Sequence, residues 1–372
     1  MLPKSRNERR ISAHSCSNPV IPPGTLMNIR HQTLSTPLSA GSKTFWNASK
    51  LIAFIATLAV IAGLLVRAEL TLDILWFVLI PILPVTFLLN PGMWRGVCPL
   101  ATANMLSSSG AYGEVSGKWI HQSAAIGIVL LFVLVPARRF LFNTDGPILA
   151  VVVLAVTALA FAMGWFVKAK GGFCNSICPV LPVEKLYGQA PLFGVRNARC
   201  VPCNHCTAKG CHDLDPIASA RHAAGNGGGS KAWMKTPFGL FAAAFPGFIY
   251  GYFQLTDGGL GDAMVVYSTI LGYALVSLLL IIVLSIVLRI PAHRLLPFLG
   301  ALSVGMYYWY AAPASFEAFD LQGGEIARWA LLGFIAYWLF QALKVSARYT
   351  PPERPAGGRA VAPSFPLPRA PR

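Results

Sequence analysis

Residues 147–167 read PILAVVVLAVTALAFAMGWFV, an unbroken run of apolar and small residues without a charge. A helix of that length rises about 30 Å, the thickness of a bilayer's hydrocarbon core. Lys168-Ala169-Lys170-Gly171-Gly172-Phe173-Cys174 follows at once, so the run ends in basic residues and then a cysteine. The same criterion applied outward marks further spans at approximately 49–67, 74–90, 119–136, 238–255, 263–288, 295–312 and 326–343. Pro81 and Pro84 predict a kink in the second of these. The expected fold is an all-α polytopic membrane protein of about eight transmembrane helices with a cysteine-rich loop between its halves. Composition agrees: 55% of the residues are hydrophobic and 12% charged, where soluble domains carry about 25% charged residues.

The formal net charge of +16 would suggest nucleic acid in a soluble chain. In a membrane chain it reports orientation, and no nucleic-acid partner is expected. With the N-terminus inside and eight spans, 26 of the 30 Lys and Arg fall on the cytoplasmic side. The other side keeps only Arg67, Arg138, Arg139 and Arg328. Such asymmetry predicts a multi-pass protein of the bacterial inner membrane with both termini cytoplasmic. Five segments follow: a basic tail at 1–48, a four-helix half at 49–167, a cysteine-rich cytoplasmic loop at 168–237, four further helices at 238–343, and a Pro/Arg-rich tail at 344–372 expected to be disordered. Arg9-Arg10 suggests a twin-arginine start, but the first apolar run lies far downstream, so no cleaved signal is expected. Gly225-Asn226-Gly227-Gly228-Gly229 reads as a flexible linker.

All seven cysteines after Cys16 fall in loops assigned to the cytoplasm, where stable disulfides are disfavoured. Cys98 stands in Trp94-Arg95-Gly96-Val97-Cys98-Pro99, and Cys174 and Cys178 in Cys174-Asn175-Ser176-Ile177-Cys178-Pro179. Cys200, Cys203 and Cys206 come at three-residue steps, with Cys211 beyond them. Zinc sites more often use two Cys-x2-Cys pairs separated by a dozen or more residues. The compact wrap at 200–206 suits three corners of a [4Fe–4S] cubane, with a remote Cys-Pro such as Cys178-Pro179 supplying a fourth thiolate. Cys98-Pro99 and Cys178-Pro179 are also offset by 80 residues, as are Leu106 and Leu186. Each element follows a pair of spans, which reads as an internal duplication.

Two membrane hairpins, each followed by a Cys-Pro element, and then a Cys-x2-Cys-x2-Cys loop, together resemble the membrane-bound polyferredoxin-like proteins. That group includes accessory proteins of periplasmic nitrate reductase and nitrous-oxide reductase, and the ferredoxin-like accessory protein of copper oxidases. The resemblance covers about residues 50–215 and implies [4Fe–4S] clusters on the cytoplasmic side, passing electrons between quinol or cytosolic donors and redox partners. Cys98, Cys174, Cys178, Cys200, Cys203, Cys206 and Cys211 are the candidate cofactor ligands, the last six forming the core metal set. One cluster is expected. A second would draw on Cys98, Cys174 and Cys211 with a non-Cys ligand such as His212 or Asp213. The chain departs from the family pattern at Trp94, which stands where a first cysteine belongs. It also carries one ferredoxin motif where two are usual.

No span interior carries a histidine, so no membrane-embedded haem is expected. His205 reads as a solvated loop residue. Met306-Tyr307-Tyr308-Trp309-Tyr310 reads as an interfacial aromatic belt, with a quinone site as the alternative. Spans five to seven have no ionisable interior residue, which argues against a transporter. Arg196, Arg199, Lys209, Arg221, Lys231 and Lys235 surround the cysteine loop and would attract an acidic ferredoxin or flavodoxin donor. The function expected is membrane-bound electron transfer serving a quinone pool or a respiratory or photosynthetic redox complex. Its rival is a zinc-binding or cofactor-assembly accessory protein. A reporter active only outside the cytoplasm should be silent when fused after Gly210 and active when fused near Gly259. The reverse pattern would contradict the charge argument.

Overall fold

A computed structural model describes residues 39–108, 117–167, 169–195, 212–213, 216–225 and 231–347. Both distal tails and the segment holding Cys200, Cys203, Cys206 and Cys211 lie outside the described residues, as do Cys16 and His205. The described chain is helical throughout. In order it forms α1 (Ala40–Val66), α2 (Ala68–Leu89), α3 (Pro91–Val97), α4 (Pro99–Ser107), α5 (Gly117–Ala137), α6 (Gly146–Phe166), α7 (Leu181–Tyr187), α8 (Pro216–Ala223), α9 (Pro237–Phe253), α10 (Ala263–Val287), α11 (Ala292–Glu317) and α12 (Gly324–Ala347).

Six helical stretches are long and apolar enough to cross a membrane: Ala40–Val66, Ala68–Leu89, Gln122–Phe142, Gly146–Phe166, Leu260–Val287 and Gly324–Ser346. Only 6% of the apolar window of α1 is buried inside the protein. So large an uncovered apolar face is untenable in water and natural in lipid. The first helix begins at Ala40 rather than 49, and only Arg67 separates it from α2. The remaining two predicted spans, α9 and α11, are helices that do not meet the same standard of length and apolarity.

α9 explains its own brevity. Twelve of its seventeen residues are buried, because it lies at the centre of the bundle, packed by α5, α7, α10 and α11. Its aromatic residues fill that centre: Phe248 stacks on Phe132 of α5 at 4.6 Å between ring centroids, and Phe245 packs on Phe241 at the same spacing. A helix surrounded by protein is apolar all round. Close approach to α10 needs Gly247, where a Cβ would stand 2.1 Å from the carbonyl oxygen of Tyr273.

The prolines of α2 lie where its helical hydrogen bonding changes. A π-helical stretch, Leu75–Leu79, precedes Pro81, and Pro84 breaks the hydrogen-bond ladder. Tyr308 of α11 repairs it. Its hydroxyl accepts from the Val85 amide at 3.2 Å and donates to the Pro81 carbonyl. Freed backbone groups in a membrane helix need such a partner. The aromatic run of α11 therefore includes a buried structural member, since Tyr308 is only 2% exposed.

Both Cys-Pro elements have the same local form. Cys98 has φ −50° and ψ 125°, and Cys178 has φ −58° and ψ 122°. Each ends a helical turn, and each is followed by a proline and then a new helix. The residue before a proline is driven out of the helical region, so Cys-Pro turns the chain at both places. α4, after the first turn, lies against α6: Asn104 donates to Ala160 O at 2.9 Å and Ser107 to Phe161 O at 2.5 Å. The second turn lies against α5, where a Cβ on Gly127 would stand 2.9 Å from Cys178 O.

Gly164 permits the α4–α6 contact, since a Cβ there would stand 2.2 Å from the Asn104 carbonyl oxygen and 2.0 Å from Ser107 Oγ. Gly164→Ala should lower unfolding stability in detergent by about 1–3 kcal/mol through overpacking. Gly272→Ala, where nothing lies within 4 Å, should not be destabilising. Equal stability of the two variants would contradict this packing.

Candidate functional site

The two Cys-Pro turns bring Cys98, Cys174 and Cys178 into one apolar cluster with Ala101, Val156, Ala160, Met163, Phe173 and Ile177. Cys174 sits on a single π-helical turn, Phe173–Ile177, and is 5% exposed. Burial pushes all three thiols up, Cys178 to about 12, and each is raised further by a neighbouring thiol or by Glu184. Arg95 pulls all three the other way. Left to themselves these are neutral, inert thiols; ligation requires a cationic partner strong enough to hold them as thiolates.

Beside the thiols lies a buried ionic network centred on Arg95, which is 3% exposed. Its Nε and Nη2 donate to the two carboxylate oxygens of Asp213 at 3.0 and 2.8 Å. Nη1 donates to Glu184 at 2.7 Å, and Nη2 also to Asn175 Oδ1 at 2.7 Å. Lys170, with no exposed surface, donates to Asp213 at 2.8 Å and to the carbonyl of Arg95 at 3.1 Å. Two cations face two carboxylates, so the network is neutral when all are ionised. Burial alone would raise the Asp213 carboxyl, but Arg95 and Lys170 outweigh it and hold it well below the usual carboxylate range. Glu184 moves up, its desolvation exceeding the pull of Arg95.

His212 is 1% exposed, and neither ring nitrogen has a hydrogen-bond partner among the described residues. Burial first, then Arg95 and Lys185, hold its pKa well below the usual histidine value, so it is neutral and free to accept or ligate. Asp213, the other non-Cys ligand considered from sequence, is committed to Arg95 and Lys170 instead.

Of the seven candidate ligands, the structure thus brings three together, and the other four lie outside the described residues. No three His, Cys, Asp or Glu side chains among the described residues close around one point as ligands of a single ion would. Sequence reading missed the Arg95 network. Its signal was present: a lone arginine inside the first Cys-Pro element, with Asn175 at the equivalent position of the second. Comparison of the chain with known protein families, with curated proteins and with solved structures finds no match.

Removing one member of a buried ion network strands the others. Asp213→Asn leaves Arg95 and Lys170 facing only Glu184, and should cost about 3–5 kcal/mol in an unfolding titration. Because the folded pKa of Asp213 is depressed, its contribution is fully present above about pH 4 and is lost as pH falls through the folded value. Stability of the wild type that rose on acidification below that point would contradict the assignment.

Proposed function

We propose that the chain is a membrane-bound iron–sulfur electron-transfer protein of the polyferredoxin-like kind, with eight membrane-crossing helices and the cysteines on the cytoplasmic side. One observation carries the reading: two copies of a Cys-Pro turn deliver Cys98, Cys174 and Cys178 to one buried cluster, beside buried cations. The donor set fits such a group. Thiolates are its preferred ligands, and a cubane spreads its ligands over corners rather than around one point. His212, next to Cys211 in sequence, adds a buried ring without a hydrogen-bond partner for its nitrogens in the geometry of the described residues. An iron–sulfur cluster, when bound, supplies one-electron transfer.

This chain's own residues shape the rest. Arg95 and Lys170 favour the thiolate form of nearby cysteines, and their charge stabilises a more reduced, more negative site. The apolar wall of Val156, Ala160, Met163 and Phe173 limits water. Only residues 167–172 separate α6 from the Phe173–Ile177 turn, so the thiols stand at the membrane edge, within reach of a quinone or an acidic soluble donor. α11 and α12 hold the chain that leaves α7: Gln189 donates to the Leu296 carbonyl of α11 at 3.0 Å, and Trp338 of α12 donates to the Ala190 carbonyl at 3.0 Å. The rival reading, a zinc-holding or cofactor-assembly protein, would gather four ligands around one ion, and metal content separates the two.

Protein purified without oxygen should carry iron, and Cys203→Ala or Cys206→Ala should lose most of it, each change removing one proposed ligand. Cys16→Ala should keep its iron. Equal loss from all three, or stoichiometric zinc in place of iron, would overturn the proposal.

A further inference from the structure

Arg95 joins four segments of the chain through one side chain. It stands on α3, in the first Cys-Pro element. Asn175 belongs to the π-helical turn of the second element, between Cys174 and Cys178. Glu184 lies on α7, the helix launched by that second turn. Asp213 lies beyond the 200–211 cysteine run. A single guanidinium makes four hydrogen bonds of 2.7–3.0 Å to these three side chains. Lys170 closes the ring by bonding both Asp213 and the backbone carbonyl of Arg95.

Two features separate this arrangement from an ordinary surface ion pair. Every charged member is buried: the side chains of Arg95, Glu184 and Asp213 are each 4% exposed and that of Lys170 is 0%. The geometry also uses what only arginine has, a planar fork of five donors that meets a carboxylate with two parallel bonds and still reaches further acceptors. A lysine keeps the charge and loses the fork. The duplicated position in the second element is Asn175, whose oxygen accepts from Arg95 across an offset of 80 residues. The two halves have thus diverged into a donor and an acceptor that hold each other.

We propose that Arg95 is the positioning residue of the cysteine site, fastening the second Cys-Pro turn, α7 and the chain beyond Cys211 to the first Cys-Pro element. Fixing Asn175 fixes its neighbour Cys174, and fixing Asp213 fixes the adjacent His212. The inference deepens the iron–sulfur reading and rests on it for what the site holds, but the fastening itself is a property of the protein with or without metal.

The test uses full-length protein in detergent as wild type, Arg95→Lys, Arg95→Gln and the double variant Arg95→Gln/Asp213→Asn. The double variant keeps Lys170 against Glu184, so its charges balance and it should fold even if the single change does not. In chelator-treated protein, maleimide labelling of Cys174 is followed by peptide mass spectrometry, with thermal unfolding as the check on folding. Labelling in the folded double variant and in Arg95→Lys should be faster than wild type on the order of tenfold, because the turn opens locally. Wild-type protection of Cys174 in the folded double variant would overturn the proposal. In iron-loaded protein, Arg95→Gln should have a lower midpoint potential than wild type, while Arg95→Lys should stay near it, separating charge from geometry. An unchanged potential in Arg95→Gln would overturn the electrostatic part. Wild-type protein that binds no iron would sink the electron-transfer reading and leave the labelling result to decide on Arg95.

Discussion

The cysteine-bearing end of this protein depends on one buried guanidinium. Moving an arginine and a lysine out of water is costly, and only close pairing with hydrogen-bonded carboxylates offsets it. Arg95 and Lys170 therefore dictate where Glu184 and Asp213 must be, and those in turn dictate the path of the second Cys-Pro turn and the return of the chain after residue 211. An apolar contact of the same size would be less demanding, since it tolerates sliding. A fork with three fixed acceptors does not.

Two Cys-Pro turns of like geometry supply the rest of the architecture. A cysteine before a proline takes an extended backbone conformation, and it does so twice with nearly the same angles. Each copy leans on a helix of the second hairpin, α6 for the first and α5 for the second. The copies are not equivalent in chemistry. At the 80-residue offset Trp94 stands against Cys174 and Arg95 against Asn175, and the first turn is α-helical where the second is π-helical. The outcome is a lopsided pair of elements sharing one apolar cluster, to which the second contributes two thiols and the first contributes one thiol and the cation.

Much of the fold was legible because the membrane simplifies the code. Long uncharged runs have one solution in lipid, and residues 147–167 announce it without help from any neighbour. The gap that Pro84 leaves in the hydrogen-bond ladder was equally readable. What fills it was not, since Tyr308 lies more than two hundred residues away and its hydroxyl says nothing about its partner. α9 was read as an ordinary span because periodicity cannot distinguish lipid from protein around an apolar helix. Cys98, Cys174 and Cys178 were singled out by spacing. The ionic network was not, because its members are scattered from 95 to 213 and each looks, alone, like one more basic or acidic residue at a membrane boundary.

The central claim, that these cysteines hold an iron–sulfur cluster, is tested most directly by electron paramagnetic resonance on wild-type protein purified without oxygen, together with iron and acid-labile sulfide analysis. The account predicts a brown protein, an iron-to-sulfide ratio near one, and a paramagnetic signal that appears or disappears on chemical reduction. A colourless protein with no such signal, holding zinc or no metal at all, would contradict it.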